Sequence, residues 1–187
     1  MTLDARSPLV IDTRDLSRRA GTERDLELTV PAPAELGIEV LEVPEGSPVE
    51  LELRLEAVME GVLVTGEAHA ALEGECVRCL DPIEDEVDVR FQELYVYDDG
   101  RDARREDGHS AEEDDEVRML EDDLLDLEPV LRDAVVLALP FQPLCRDDCA
   151  GLCAECGANL NEDPNHGHDE PVDPRWAGLA GFDASDE

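Results

Sequence analysis

Four cysteines and two histidines between positions 145 and 168 have the spacing of metal ligands. They run Cys145-x3-Cys149-x3-Cys153-x2-Cys156-Gly157, followed by His166-x-His168. A further pair, Cys76-x2-Cys79, lies upstream, and together these clusters take all six cysteines of the 187-residue chain. Two thiolates two residues apart can turn back onto one ion. A glycine directly after them tolerates the backbone conformation that the turn needs.

Eight side chains are therefore candidate ligands: Cys76, Cys79, Cys145, Cys149, Cys153, Cys156, His166 and His168. Structural zinc takes four ligands of this kind, so eight predict two closed tetrahedral sites. The preferred grouping puts Cys76, Cys79, Cys145 and Cys149 around one ion and Cys153, Cys156, His166 and His168 around another. The alternative is a single tail site from Cys149, Cys153, Cys156 and one histidine, with the other thiols idle or redox-active. A closed site has no open coordination position and activates no water. Nothing else in the chain resembles catalytic machinery. It has no Gly-x-Ser-x-Gly, no phosphate-cradling glycine loop and no lysine, and its carboxylates are diffuse. The expectation is a structural metal and no enzyme.

The formal net charge is −35, from 50 acidic residues against 15 basic ones, and every basic residue is arginine. Such a charge keeps a chain soluble and repels polyanions, so a broad electrostatic grip on RNA, DNA or an anionic membrane is disfavoured. It suits a basic protein partner, although a generally acidic proteome would produce the same composition. The start, Met1 to Arg6, lacks a basic region followed by an apolar run. No stretch reaches the ~18 continuous apolar residues of a membrane span. The expected location is cytoplasmic, where thiols stay reduced and clustered cysteines favour metal over disulfides.

The remaining chain must position these ligands. Leu9-Val10-Ile11 predicts a first short strand. Arg14 to Arg24 is comparatively basic, and reads either as a contact for phosphate or an acidic patch or as a solvated turn. Leu26, Leu28 and Val30 alternate as a half-buried strand that Pro31 and Pro33 end, and Ile38, Val40 and Leu41 suggest another. Val49, Leu51, Leu53, Leu55, Ala57 and Met59 share one face, with Glu50, Glu52, Arg54 and Glu56 opposite. After the break at Glu60-Gly61, Val62, Val64, Gly66, Ala68, Ala70 and Leu72 do the same, predicting a long antiparallel hairpin. The small residues Gly66, Ala68 and Ala70 call for something bulky above them. His69 falls on the polar face, as a surface residue. Cys76 and Cys79 occupy the turn into a third strand carrying Ile83, Val87, Val89 and Phe91, with Tyr95 and Tyr97 closing the sheet region.

Residues 98–116 are acidic, contain His109 and have too few apolar side chains to offset the entropy of ordering, which predicts a disordered loop. Leu120 to Leu139 is predicted helical, with Asp126 as N-cap and Pro129 in the first turn. Its apolar stripe is Leu127, Val130, Leu131, Ala134, Val135 and Ala138, widened by Leu137 and Leu139, and it is expected to cover the small-residue face of the hairpin. Trp176 reads as a clamp on its own domain or an anchor for a partner. The expected architecture is α+β: an antiparallel sheet or small open barrel built round the hairpin, one covering helix, and a zinc-knuckle tail. The core domain would span residues 1–144 and the tail 145–187.

These features coincide in an order that resembles the YceD family, named for large ribosomal RNA subunit accumulation. The resemblance rests on Cys76-Val77-Arg78-Cys79-Leu80 after a long hairpin and on Asp126-Leu127-Glu128-Pro129 opening a helix that ends Ala138-Leu139-Pro140. It continues through Pro143-Leu144-Cys145, Gly151-Leu152-Cys153-Ala154-Glu155-Cys156-Gly157, Asn159-Leu160-Asn161 and Asp173-Pro174-Arg175-Trp176. It spans roughly residues 10 to 180. Many members carry Cys-x-Cys where this chain has His166-Gly167-His168, an exchange that preserves ligand chemistry. The resemblance implies a part in producing or maintaining large-subunit (23S) ribosomal RNA, without a known reaction. Because family genes commonly lie beside one for a small zinc-type large-subunit protein, it also implies a ribosomal protein or pre-50S particle as partner.

Three functions compete at this point. One is a non-enzymatic ribosome-assembly factor that binds a basic ribosomal protein. Another is a direct RNA-binding zinc module using Arg14, Arg18, Arg19, Arg78 and Arg146, although phosphate binding at this net charge is poorly supported. The third is a thiol-based redox or metal sensor acting through Cys153 and Cys156.

Overall fold

The structure, a computed structural model, describes residues 3–16, 18–97, 118–168 and 175. The predicted acidic loop with His109, and Trp176, lie outside the described residues.

The alternating stretches form the hairpin that the sequence predicts. Strands β5 (Pro48–Ala57) and β6 (Gly61–Glu75) pair antiparallel from Val49↔Ala70 to Ala57↔Val62. Strand β7 (Pro82–Val96) covers the other edge of β6 along its whole length, from Gly61↔Val96 to Glu75↔Pro82. Strand β2 (Glu23–Pro31) flanks β5. The stretch around Ile38 is not one strand but two, β3 (Leu36–Ile38) and β4 (Leu41–Val43), with Val40 in the connection between them. β4 pairs with Glu73 and Gly74 at the end of β6 that β5 does not reach. A separate two-stranded ribbon joins β1 (Val10–Asp12) to β8 (Leu124–Asp126), and α1 (Glu128–Ala138) follows directly. The main sheet runs β2-β5-β6-β7, with β4 and then β3 continuing from the far end of β6 on the edge that β5 leaves free, and among the described residues no pairing closes it into a barrel. With one helix among the described residues, the fold is α+β.

One face of the sheet is core. Val49, Leu51, Leu53 and Leu55 are at most 3 % exposed, and Val62, Val64, Ala68, Ala70 and Leu72 continue that face on β6. Val130, Leu131 and Val135 of α1 close over it, against β7 and β3. The Tyr95 hydroxyl donates to the Asp126 carbonyl at 2.6 Å, which ties the sheet to the ribbon.

The helix is shorter than its apolar content suggests. Asp122 and Asp123 both take left-handed backbone (φ 53° and 62°), and Glu121 and Leu124 exchange N–H···O bonds of 3.0 and 2.9 Å across them. This turn puts Leu125, fully buried, opposite Ile11 in an extended conformation. Thr13 fixes the turn by donating its N–H and hydroxyl to the Asp123 carbonyl. The N-cap is Leu127, whose side chain caps nothing. Asp126, one residue earlier, instead accepts the Glu128 N–H at 3.0 Å. Leu137, expected to widen the apolar stripe, is 85 % exposed, whereas Leu139 is buried. Met59 lies past the end of β5 and is also 85 % exposed, because the alternation stops at Ala57.

At Gly66 the gap is filled from within the sheet. Phe91 on β7 stands directly opposite Gly66, and a Cβ on Gly66 would lie 2.3 Å from the ring tip and 2.9 Å from Leu53. Gly66→Ala is therefore expected to destabilise the fold by about 1–3 kcal/mol through overpacking, and Phe91→Leu should relieve part of that cost. Urea unfolding of the two single variants and the double variant measures both effects.

Candidate metal centres

The turn between β6 and β7 is a knuckle. Cys76 N donates to Asp81 O at 2.9 Å and Leu80 N to Cys76 O at 2.9 Å, with Leu80 in left-handed backbone (φ 62°). The pattern recurs downstream: Cys153 N donates to Ala158 O at 2.8 Å and Gly157 N to Cys153 O at 2.8 Å, with Gly157 at φ 74°. Both Cys-x2-Cys pairs thus have the same backbone design, a left-handed residue closing a loop that brings two sulfurs to one side. The glycine is the recognisable mark of this turn, and in the first knuckle a leucine takes its place.

Each knuckle meets a second ligand pair. Cys145 and Cys149 follow the end of α1, and Val77 N donates to Pro143 O at 3.0 Å, which lays that segment against the first turn. Cys76 Sγ lies 3.7 Å from Cys149 Sγ, and Cys79 Sγ lies 3.5 Å from Cys145 Sγ. Around the second knuckle, Cys153 Sγ is 3.2 Å from His168 Nε2, Cys156 Sγ is 3.1 Å from His166 Nε2, and the two Nε2 atoms are 2.9 Å apart. Within each group of four, all donor atoms fall within 4.8 Å of one another. The eight predicted residues come together in these two groups, the preferred grouping from the sequence, and not as a single tail site.

The donor sets fit closed tetrahedral coordination. Sulfurs bound at about 2.3 Å to a tetrahedral ion lie about 3.8 Å apart, close to the separations in the four-cysteine group. Both spacings are far too long for a disulfide, and all six cysteines are free thiols. In the second group each imidazole points Nε2 inward, and its Nδ1 faces a carboxylate: Asp163 at 3.9 Å from His166 and Glu155 at 3.5 Å from His168. A carboxylate behind a ligating imidazole favours the tautomer whose inner nitrogen is free for a metal.

The thiols differ in acidity in a way that the knuckle explains. Burial pushes the Cys76 thiol up, but backbone N–H groups of Cys145, Cys79 and Arg78 outweigh it and bring the thiol down to about 6. Backbone N–H groups of Cys156 and Glu155 lower Cys153 likewise to about 6. Burial raises Cys79. The first cysteine of each knuckle is thus the readier thiolate, and in the first knuckle a metal would displace the proton that burial holds on Cys79.

The environments also differ. In the first group Cys76, Cys79 and Cys149 are at most 4 % exposed, and only Cys145 reaches the surface. In the second group Cys156 and His168 are exposed and Cys153 and His166 half-buried. Arg78, a candidate RNA contact from sequence, stitches the first group instead: its guanidinium donates to Cys149 O at 2.9 Å and its carbonyl accepts from Leu152 N. Sequence reasoning missed Asp81, Asn159 and Asn161. Asp81 sits 3.2 Å from Cys79 Sγ, Asn159 reaches Asp81, and Asn161 reaches Cys149. The only signal was the Asn-x-Asn spacing itself. His69 stands apart from both groups, on the sheet surface beside Asp88 at 2.9 Å.

The sequence has relatives. Residues 64–183 match the family described as large ribosomal RNA subunit accumulation protein YceD. The chain belongs to the YceD family. An uncharacterized protein of Mycobacterium tuberculosis is 44 % identical over 173 residues, which is 92 % of this chain and 80 % of that protein. One of Mycobacterium leprae is 42 % identical over 184 residues, covering 96 % and 80 %. The uncharacterized protein YlbN of Bacillus subtilis is 26 % identical over 105 residues, 56 % of each chain. No solved structure matches. The YceD family is described by ribosomal RNA accumulation and not by a reaction. Among the described residues, no helix is long and apolar enough to cross a membrane.

Proposed function

We propose that this YceD protein is a non-enzymatic, cytoplasmic factor that supports large-subunit ribosomal RNA accumulation by binding a basic large-subunit ribosomal protein or an assembly intermediate. Two zinc ions would serve as staples. The four-cysteine group would hold one and tie the β6–β7 turn to the end of α1. The second group would hold the other and fold the segment after it. Zinc suits these donors because it is redox-inert and accepts thiolate and imidazole in tetrahedral geometry.

The observation that carries this reading is the outer face of the sheet. Glu27, Glu52 and Glu67 stand directly opposite one another on β2, β5 and β6, and Glu23 faces Glu56 and Glu73 faces Glu84 across further strand pairs. Like charges opposed across strands are destabilising, so a cationic partner would relieve repulsion built into the folded protein. Glu50, Glu52, Glu67 and Asp88 also line a shallow depression on this face. The two arginines there are already engaged, Arg54 with Glu23 at 2.6 Å and Arg90 with Glu67 at 2.9 Å.

The arginines that the sequence offers for direct RNA binding are similarly occupied. Arg14 pairs with Asp12, Arg18 with Asp123, and Arg146 lies 3.6 Å from Asp148. Arg78 is bound to the Cys149 carbonyl, and Arg19 is not free either. Such pairing weakens any grip on phosphates.

The test is affinity capture at moderate salt from cells carrying the tagged protein, together with subunit profiles of a deletion strain. The reading predicts recovery of large-subunit ribosomal proteins or pre-50S particles and a deficit of 23S relative to 16S ribosomal RNA on deletion. Recovery of neither, with normal profiles, would overturn it. A salt-sensitive shift of purified protein with 23S fragments would favour direct RNA binding instead.

A further inference from the structure

We infer that Asn159 and Asn161 are positioning residues of the four-cysteine centre and couple its occupancy to that of the second centre. The inference rests on the reading of both groups as metal centres. The two asparagines belong by sequence to the second centre, in the loop between Cys156 and His166. Their side chains serve the first. Asn161 Nδ2 donates to Cys149 Sγ at 3.4 Å, while its Oδ1 accepts the Ala150 N–H at 2.8 Å, so the amide is held at both ends beside the ligand. Asn159 Nδ2 lies 3.4 Å from both carboxylate oxygens of Asp81, which in turn contacts Cys79 Sγ at 3.2 Å. The Asn159 Oδ1 accepts the Asn161 N–H at 3.0 Å, locking the two together. One loop thus reaches Cys149 directly and Cys79 through Asp81, the two ligands lying on different segments of the first centre.

The chemistry favours coupling. A neutral amide N–H stabilises a thiolate without competing for the metal, and groups of this kind behind a ligand govern affinity. The loop that carries them is short and polar, half-buried at residues 158–161 and exposed at residues 162–165, and its one large apolar side chain, Leu160, is only half-buried, which offsets little of its ordering entropy. Closing Cys153, Cys156, His166 and His168 on an ion fixes both ends of that loop and presents Asn161 to Cys149. Filling the second centre therefore strengthens the first, and by linkage filling the first strengthens the second.

The experiment uses the full chain, zinc and a chromophoric competing chelator, with native mass spectrometry counting ions per chain. Asn161→Ala is expected to weaken the first centre about 10- to 100-fold, the range for lost outer partners of metal ligands. His166→Ala, which removes a ligand of the second centre, should also weaken the first, but add little in the Asn161→Ala background. Hydrogen exchange of the Cys76–Asp81 amides should rise in both variants. Asn159→Ala, acting through Asp81, provides a second variant if Asn161→Ala folds poorly by circular dichroism. First-centre affinity within twofold of wild type in the asparagine variants, or fully additive effects of Asn161→Ala and His166→Ala, would overturn the coupling while leaving two metal centres in place. A wild-type chain that binds no metal would overturn the metal reading and the coupling with it.

Discussion

Cys149→Ser is expected to release one of two metal ions per chain and to lower the melting temperature by about 8–20 °C. The ligand is 2 % exposed and sits where three chain segments meet: the β6–β7 turn, the residues after α1 and the Asn161 loop. Removing it leaves Cys76 and Cys79 buried around a site with three ligands. Loss of a structural metal belongs to the short list of single changes that cost more than about 4 kcal/mol, and for a chain of this size each kcal/mol shifts melting by about 2–4 °C. Cys156→Ser should also release one ion, but from the more exposed of the two groups, so melting should shift by only a few degrees. Native mass spectrometry and calorimetry on the two variants separate these outcomes. Equal melting of Cys149→Ser and wild type would show that the first centre staples nothing.

Neutralising Glu27, Glu50 and Glu52 to glutamine is expected to have opposite effects on stability and binding. These carboxylates lie on the outer face, outside its three ion pairs with Arg54, Arg90 and His69. Their removal relieves the opposition of Glu27 to Glu52 and of Glu52 to Glu67, so the variant should unfold at slightly higher urea concentration than wild type. Affinity for purified basic large-subunit proteins should fall about tenfold or more, with a shallower dependence on salt, because fewer exposed charge pairs form. A variant that is more stable yet binds as tightly as wild type would place the partner on another surface. One that is less stable would contradict the repulsion argued for this face.

The sequence made the sheet legible because every second residue of β5, β6 and β7 had to be apolar to cover one face, and a period of two admits no other regular element. The two ligand groups were legible for a related reason. A Cys-x2-Cys pair at a strand turn needs partners, and the end of a helix leading straight into Cys145 supplies them. What escaped was local geometry overriding composition. Leu120 to Leu127 carries enough leucine for a helix, but two left-handed aspartates turn Leu124 and Leu125 into a strand against β1. Phe91 reads as an ordinary strand residue until its pairing with Gly66 shows that it fills the space above that glycine. Leu80 gives no hint of a positive φ, which glycine announces at the equivalent Gly157. The asparagines behind the first centre were invisible as such, since a contact across 78 residues, from Asn159 to Asp81, leaves no periodic trace.

The most direct test of the account is the metal count of the intact chain purified without added metal, by native mass spectrometry. Two zinc ions per chain are predicted, with one lost in Cys149→Ser and the other in Cys156→Ser. A single ion, or none, in the wild type would contradict the two centres on which the fold's stapling and the coupling between them depend.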